Sequence, residues 1–244
     1  MKVTTWSLQM HEPRPQAPRP FPDGVRLDRA TGITPEYARF LYALVGGPWT
    51  WTDRLGWSRQ QWADELAVPG SEFWVLYSDG APAGYAQLHP TVEPNGTHVE
   101  IRYFGLCDRV IGRGLGSRLL EHTIAAAWTL PARTPLPGLP GLPAHTERPE
   151  HIEHSERPDH TARAALPGHT VLPGVARVWV HTCSLDGPAA LANYQGRGLV
   201  IYHTEETDEN VPDQPLGSWI STGGPTPGST VDAAVGAVGA EGPA

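Results

Sequence analysis

Residues 109–128 read RVIGRGLGSRLLEHTIAAAW. Gly112, Gly114 and Gly116 remove the side chain from every second position, and an amphipathic helix follows at once. The first N–H groups of a helix have no partner within it, and the helix dipole places partial positive charge there. With no Cβ atoms in the way, an anion such as a diphosphate approaches those groups closely. Gly112–Ser117 is therefore a candidate diphosphate cradle. The plain alternative is a tight strand-to-helix turn with no ligand. Two familiar phosphate-binding patterns do not fit. A dinucleotide fingerprint wants a glycine at 117 and an acid about 20 residues further on; the chain has Ser117 and then PARTPLPG. A P-loop ends in Gly-Lys-Ser/Thr, and Lys2 is the chain's one lysine.

Working outward, Val3–Met10 alternates β-formers and predicts a strand. HEPRPQAPRPFPDG follows as a proline-rich connector, which suits neither a helix interior nor a central strand. Thr34-Pro35-Glu36 supplies an N-cap, a first-turn proline and an acid, and predicts a helix to about Leu44. A second helix starts near Ser58, with Gln61 in the capping-box position. Strands follow at Glu72–Ser78, Gly84–His89 and His98–Leu106, the first two joined by the Asp79-Gly80 turn. After the glycine-rich segment and its helix come a strand at Arg177–Thr182, a short helix at Pro188–Gln195 and a last strand at Leu199–Thr204. This order predicts one α/β domain over residues 1–210. Within it, the Pro- and His-rich stretch 131–174 reads as a flexible insertion, and 211–244 as a disordered Gly/Ala/Pro tail.

The net charge of −8 argues against nucleic acid as a partner, since that needs a basic face. No apolar run approaches the ~20 residues of a membrane span. The two cysteines, Cys107 and Cys183, make no disulfide framework. They fit a reducing cytoplasm and read as buried structural thiols rather than nucleophiles. His145, His151, His154, His160 and His169 match no metal-site spacing, so no metal is expected.

The stretch YFGLCDRVIGRGLGSRLL, Tyr103 to Leu120, resembles motif A of the GNAT acyl-CoA N-acyltransferases: strand, short loop, Gln/Arg-x-x-Gly-x-Gly/Ala, helix. Ile111 stands where Gln or Arg is usual. The stretch HTCSLDGPAALANYQGRGLVIYHTE resembles the family's motif B, with Ala190 before Asn193-Tyr194 and Gly198 four after the tyrosine. Leu199 replaces the usual Phe. Gly187 occupies the place of an Asn that often holds pantetheine, with Asp186 or Asn193 as substitutes. The resemblance covers roughly Val3–Thr207 outside the insertion. It implies a mixed, mostly antiparallel twisted sheet flanked by helices, in which one parallel strand pair splays apart. The cofactor is then acetyl-CoA, its pantetheine arm in the wedge.

The resemblance further implies contacts to that cofactor from Phe104, Gly105, Leu106, Gly112, Arg113, Gly114, Leu115, Gly116, Ser117 and Asn193. The Leu106 N–H polarises the thioester carbonyl, and Tyr194 returns a proton to the departing thiolate. Tyr194 also fits a plain core tyrosine. Glu100, then His181, are the candidates to take the proton of the incoming amine. Trp49, Trp51, Asp53 and Trp57, in GGPWTWTDRLGW, form the expected acceptor wall. The function so implied is transfer of an acetyl group from acetyl-CoA to a primary amine of a small molecule or peptide, by a monomer or homodimer. The alternatives are an acyl-CoA-binding module without turnover, or an interaction protein that works through its insertion.

Overall fold

The computed structural model describes residues 1–134, 172–211 and 217. Most of the insertion and of the tail therefore lies outside the described residues, as do the five histidines of the insertion. The chain builds β1 (Lys2–Met10), β2 (Val25–Arg29), α1 (Pro35–Gly46), α2 (Arg59–Leu66), β3 (Glu72–Ser78), β4 (Ala81–Glu93) and β5 (Gly96–Leu106). It continues with α3 (Leu115–Trp128), α4 (Leu130–Arg133), β6 (Val175–Cys183), α5 (Ala190–Gln195) and β7 (Val200–Asp208). The strands form one sheet in the order β2-β3-β4-β5-β6-β1-β7. Among the described residues, β5 and β6 are the parallel neighbours; the other pairs are antiparallel.

Local chemistry sets the helix starts. Thr34 accepts from the Tyr37 N–H and Pro35 opens α1, while Ser58 and Gln61 close a reciprocal capping box on α2. On α1, Ala38, Leu41, Tyr42 and Val45 form a buried stripe at helical spacing. With Trp62 of α2 they cover Phe73, Val75 and Tyr85 on one face of the sheet. On the other face α3 and α5 pack over Leu8, Leu88, Val99, Ile101, Val178 and Val180.

Strand β2 and the short helix α4, which opens the stretch read as a flexible insertion, escape the sequence reading, and strand β4 is longer than read. Strand β2 pairs along β3, with Val25 and Leu27 packed against the cluster that holds Leu76 and Leu119. The prolines just before it mask its five-residue alternation. Strand β4 runs on at both ends through Pro82 and Pro90. Pro82 sits where the β3–β4 register shifts, and Pro90 lies beyond the last β3 partner, Leu88 with Glu72. Neither position requires an amide donor toward β3.

The sheet opens where the site lies. The parallel ladder pairs Thr97 with Val175, and then His98, Val99 and Glu100 with Arg177, Val178 and Trp179, and stops there. β5 continues to Leu106 and β6 to Cys183 without each other. A bulge in the β4–β5 register between Gln87 and Leu88 adds Arg102 to β5 next to the parting point. Bulges increase local twist, which carries the end of β5 away from β6.

Candidate active site

Beyond the parting point, the Cys107 N–H bonds the Ala83 carbonyl of the β4 side at 2.8 Å. Backbone groups alternate sides along a strand, so the N–H and C=O of Leu106 and Phe104 face the wedge instead. The resemblance asks for a donor there, and Leu106 has one. Gly105 turns toward α1, where a Cβ would stand 2.6 Å from Val45 Cγ1. Its glycine is thus also a packing requirement.

The glycine-rich turn reaches the wedge from below. Gly112 and Gly114 have φ of +81° and +72°, a region that costs other residues energy. Gly114 is the N-cap of α3 and offers no side-chain cap. The N–H groups of Leu115, Gly116 and Ser117 are therefore left to an outside acceptor. A Cβ at Gly112 would meet nothing within 4 Å, and one at Gly114 only the end of Arg118, at 3.5 Å. The space over the turn is open, and it fits a diphosphate. It belongs to a cavity of about 540 Å³ lined by Phe104, Gly105, Leu106, Gly112, Gly116 and Ser117 from one side and by Asn193, Tyr194 and Arg197 from the other. Ser117 Oγ donates to Asn193 Oδ1 at 3.2 Å and ties α3 to α5 across it. Arg113 is exposed and outside this lining, and Leu115 buries its side chain, leaving its N–H to the site. Arg118 binds the Pro20 carbonyl.

A second cavity, about 150 Å³, lies on the α1 side of the wedge. Its lining includes Trp49, Trp51, Asp53, Arg102, His181 and Cys183. Trp49, Trp51, Phe104, Asp186 and Tyr194 line both cavities, so the two meet there. Tyr194 is 4% exposed, and its ring packs on Phe104 with centroids 5.8 Å apart. Burial, and then the nearby Asp186 carboxylate, push its phenol well above the usual range, so it is held protonated. Asp186 accepts from Thr182 Oγ1 at 2.6 Å, from the Cys183 N–H at 3.1 Å and from Trp51 Nε1 at 3.5 Å. Gly187 lies under the Trp49 ring.

Not every expected residue comes together here. Trp57 sits instead with Trp62, at 5.4 Å, and under the Arg54 guanidinium, at 3.8 Å, in another groove. Glu100 is buried and outside the lining of either cavity. It accepts from Arg102 Nε at 3.0 Å and lies 3.5 Å from His181 Nδ1, while the half-exposed His181 ring reaches the smaller cavity. Both cysteines are free thiols. Burial pushes the Cys107 thiol up to about 11 and also raises Cys183, the reverse of an activated nucleophile.

Behind Glu100 runs a polar chain that the sequence reading missed. Glu65 of α2 accepts from Arg102 Nη1 at 2.9 Å and from Gln87 at 2.8 Å, with His89 at 3.5 Å. No spacing rule links a residue of α2 to three on two strands. Burial raises the Glu65 carboxyl, but His89 and the Arg102 charge outweigh it and hold the group at about 2. A carboxyl lower in the folded state stabilises that state above its ordinary value of 4.5 and loses this as pH falls through its folded value. The melting temperature should therefore fall between pH about 4.5 and about 2, and Glu65→Gln should flatten that fall while lowering stability at neutral pH. Calorimetry across this range checks both; an unchanged acid profile in the variant contradicts the assignment.

Residues 36–134 match the family model described as the acetyltransferase (GNAT) family. No curated protein matches the chain in sequence. Similar solved structures include a GCN5-related N-acetyltransferase from Sphaerobacter thermophilus, at 12% identity, 83% of this chain, 49% of that one and TM-score 0.47. A GCN5-related N-acetyltransferase from Kribbella flavida aligns at 14% identity, 82% and 55% coverage and TM-score 0.45. A GNAT family acetyltransferase from Elizabethkingia anophelis with acetyl-CoA bound aligns at 18% identity, 45% and 61% coverage and TM-score 0.32. The chain thus spans about half the length of the first two. Among the described residues no helix is long and apolar enough to cross a membrane, and no cluster of three or more His, Cys, Asp or Glu side chains is placed to hold a metal ion.

Proposed function

We propose that this chain, which carries a GNAT acetyltransferase-family segment at residues 36–134, moves an acetyl group from acetyl-CoA to a primary amine by direct attack. One observation carries the reading: the parallel pair parts after Glu100 and Trp179, and Tyr194 stands where the two cavities at that opening meet. Acetyl-CoA supplies the activated acyl group. The N–H groups of Leu115, Gly116 and Ser117 hold its diphosphate at the start of α3. Phe104 and Leu106 pair with its arm as an added strand would. The Leu106 N–H stabilises the charge that gathers on the thioester oxygen.

The amine enters through the smaller cavity, between Trp49, Trp51 and Asp53 on one side and His181 on the other. It arrives as ammonium and must lose a proton before it attacks. His181 takes that proton, and Glu100, 3.5 Å behind Nδ1, orients the ring and balances its charge. The amine nitrogen then bonds to the carbonyl carbon, the carbon–sulfur bond breaks, and the sulfur leaves as thiolate. Tyr194, held as a neutral phenol, donates its proton to that sulfur, and the second proton, which the nitrogen sheds as the amide forms, restores the phenol. We place the protein in a reducing cytoplasm, where its two free thiols remain reduced.

The test is release of free CoA from acetyl-CoA across a panel of aminoglycosides, polyamines, amino acids and peptides. Amine-dependent release supports the proposal. Tight CoA binding without release from any amine replaces it with a binding module.

A further inference from the structure

The acceptor side of the sheet carries a cation that the proposed chemistry does not use. Arg177 lies on β6, four residues before His181, so the two side chains share one face of the sheet. At about 3.3 Å per residue they are about 13 Å apart along the strand. The parallel register sets His98 beside Arg177. The Tyr202 ring lies 4.6 Å and the Trp179 ring 5.5 Å from the guanidinium carbon. Arg177 Nε is buried with no hydrogen-bond partner. Among the described residues two rings lie against the guanidinium, and none of the ion pairs includes it. The Arg102 cation two strand positions along from Glu100, by contrast, is shared by two carboxylates. An arginine stacked on aromatic rings and lacking a carboxylate is a planar fork ready to receive one. In a chain of net charge −8, such a local cation at the acceptor face is a means of selection rather than general attraction.

We propose that Arg177 is an anion subsite for the acceptor, so that the preferred substrate is an amine carrying a carboxylate about 10–13 Å from the nitrogen. The proposal rests on the acetyl-transfer reading above. An extended peptide advances about 3.3–3.6 Å per residue, which places the acid on the third or fourth residue after a free α-amine. A long ω-amino acid offers the same pair of groups. In either acceptor the amine lies at His181 and the wedge, the body crosses Trp179, and the carboxylate meets the Arg177 fork.

The experiment compares kcat/KM, from CoA release, for matched acceptors that differ only in the carboxylate: Ala-Ala-Ala-Glu-amide against Ala-Ala-Ala-Gln-amide, and 10-aminodecanoate against 10-amino-1-decanol. Each pair is run with the wild type, Arg177→Gln and Arg177→Lys, and melting temperatures establish that the variants are folded. The wild type should prefer the acidic member of at least one pair by about tenfold or more, and the pair that shows it identifies a peptide or a small-molecule acceptor. The ratio should fall to near one in Arg177→Gln and lie between in Arg177→Lys. A wild-type ratio near one in both pairs, with transfer proceeding, overturns the subsite and leaves acetyl transfer standing. Calorimetric binding of the same acceptors separates the remaining case. Without turnover, binding of the acidic member that is lost in Arg177→Gln keeps the subsite and removes the acetyl-transfer reading; absence of such binding overturns both.

Discussion

Tyr194→Phe is expected to lower kcat about 10²- to 10³-fold, the range for loss of a positioned proton donor, while the dissociation constant for acetyl-CoA changes less than about twofold. The ring packs on Phe104 at the end of α5 and is almost fully buried, and phenylalanine keeps that packing. What goes is the hydroxyl, held protonated by burial and by Asp186. A core tyrosine without a chemical role gives the opposite pattern: a small change in stability and a rate within about twofold of wild type. The pH dependence separates them further. With the donor in place, turnover rises with pH as the amine loses its proton; without it, the thiolate leaves unprotonated, and a thiol of low pKa is the better leaving group. Acyl donors built on more acidic thiols should therefore recover part of the lost rate in Tyr194→Phe. If they do not, Tyr194 is not the donor.

The second large effect belongs to the cradle. Gly114 and Gly80 both have positive φ, +72° and +82°, and open surroundings: a Cβ at Gly80 meets nothing within 4 Å, and one at Gly114 only the flexible end of Arg118. Alanine at either position carries a similar backbone cost, about 1 kcal/mol. Gly80 lies in the β3–β4 turn, remote from the site, and Gly114 caps α3 beneath the proposed diphosphate. Gly114→Ala should therefore raise the acetyl-CoA dissociation constant about tenfold or more, equivalent to about 1.4 kcal/mol, while Gly80→Ala leaves it unchanged. Equal losses in melting temperature with unequal losses in binding assign the effect to the cradle. Equal binding in the two variants would mean the glycines serve only the turn.

Much of this was legible in the sequence because the signals are local. Capping residues, the Asp79-Gly80 turn and the alternation of β3 need only a few neighbours in the chain, and the element order follows from them. The glycine turn that opens α3, where the cradle is proposed, is equally local, since glycine spacing and helix start lie within six residues. What escaped depends on contacts between distant segments. Trp57 looked like part of the acceptor wall because it follows Trp49 and Trp51 closely. The turn after Thr52 sends it instead to Trp62 and Arg54. Glu100 read as the acid that takes the amine's proton or as a partner of its same-face neighbour Arg102, and it does pair with Arg102; what no strand pattern marks is the link from Arg102 to Glu65, which comes from how α2 crosses the sheet. β2 was hidden for a different reason: its alternation is only five residues long, and prolines crowd its entrance.

The central claim is that β5 and β6 part to admit a thioester arm whose diphosphate rests on the first turn of α3. A crystal structure with coenzyme A tests it most directly. The account predicts the diphosphate against the N–H groups of Leu115, Gly116 and Ser117, the arm hydrogen-bonded along Phe104 and Leu106, and the sulfur beside the Tyr194 hydroxyl. Coenzyme A bound elsewhere, or a wedge closed by the protein's own side chains in that crystal, would contradict it.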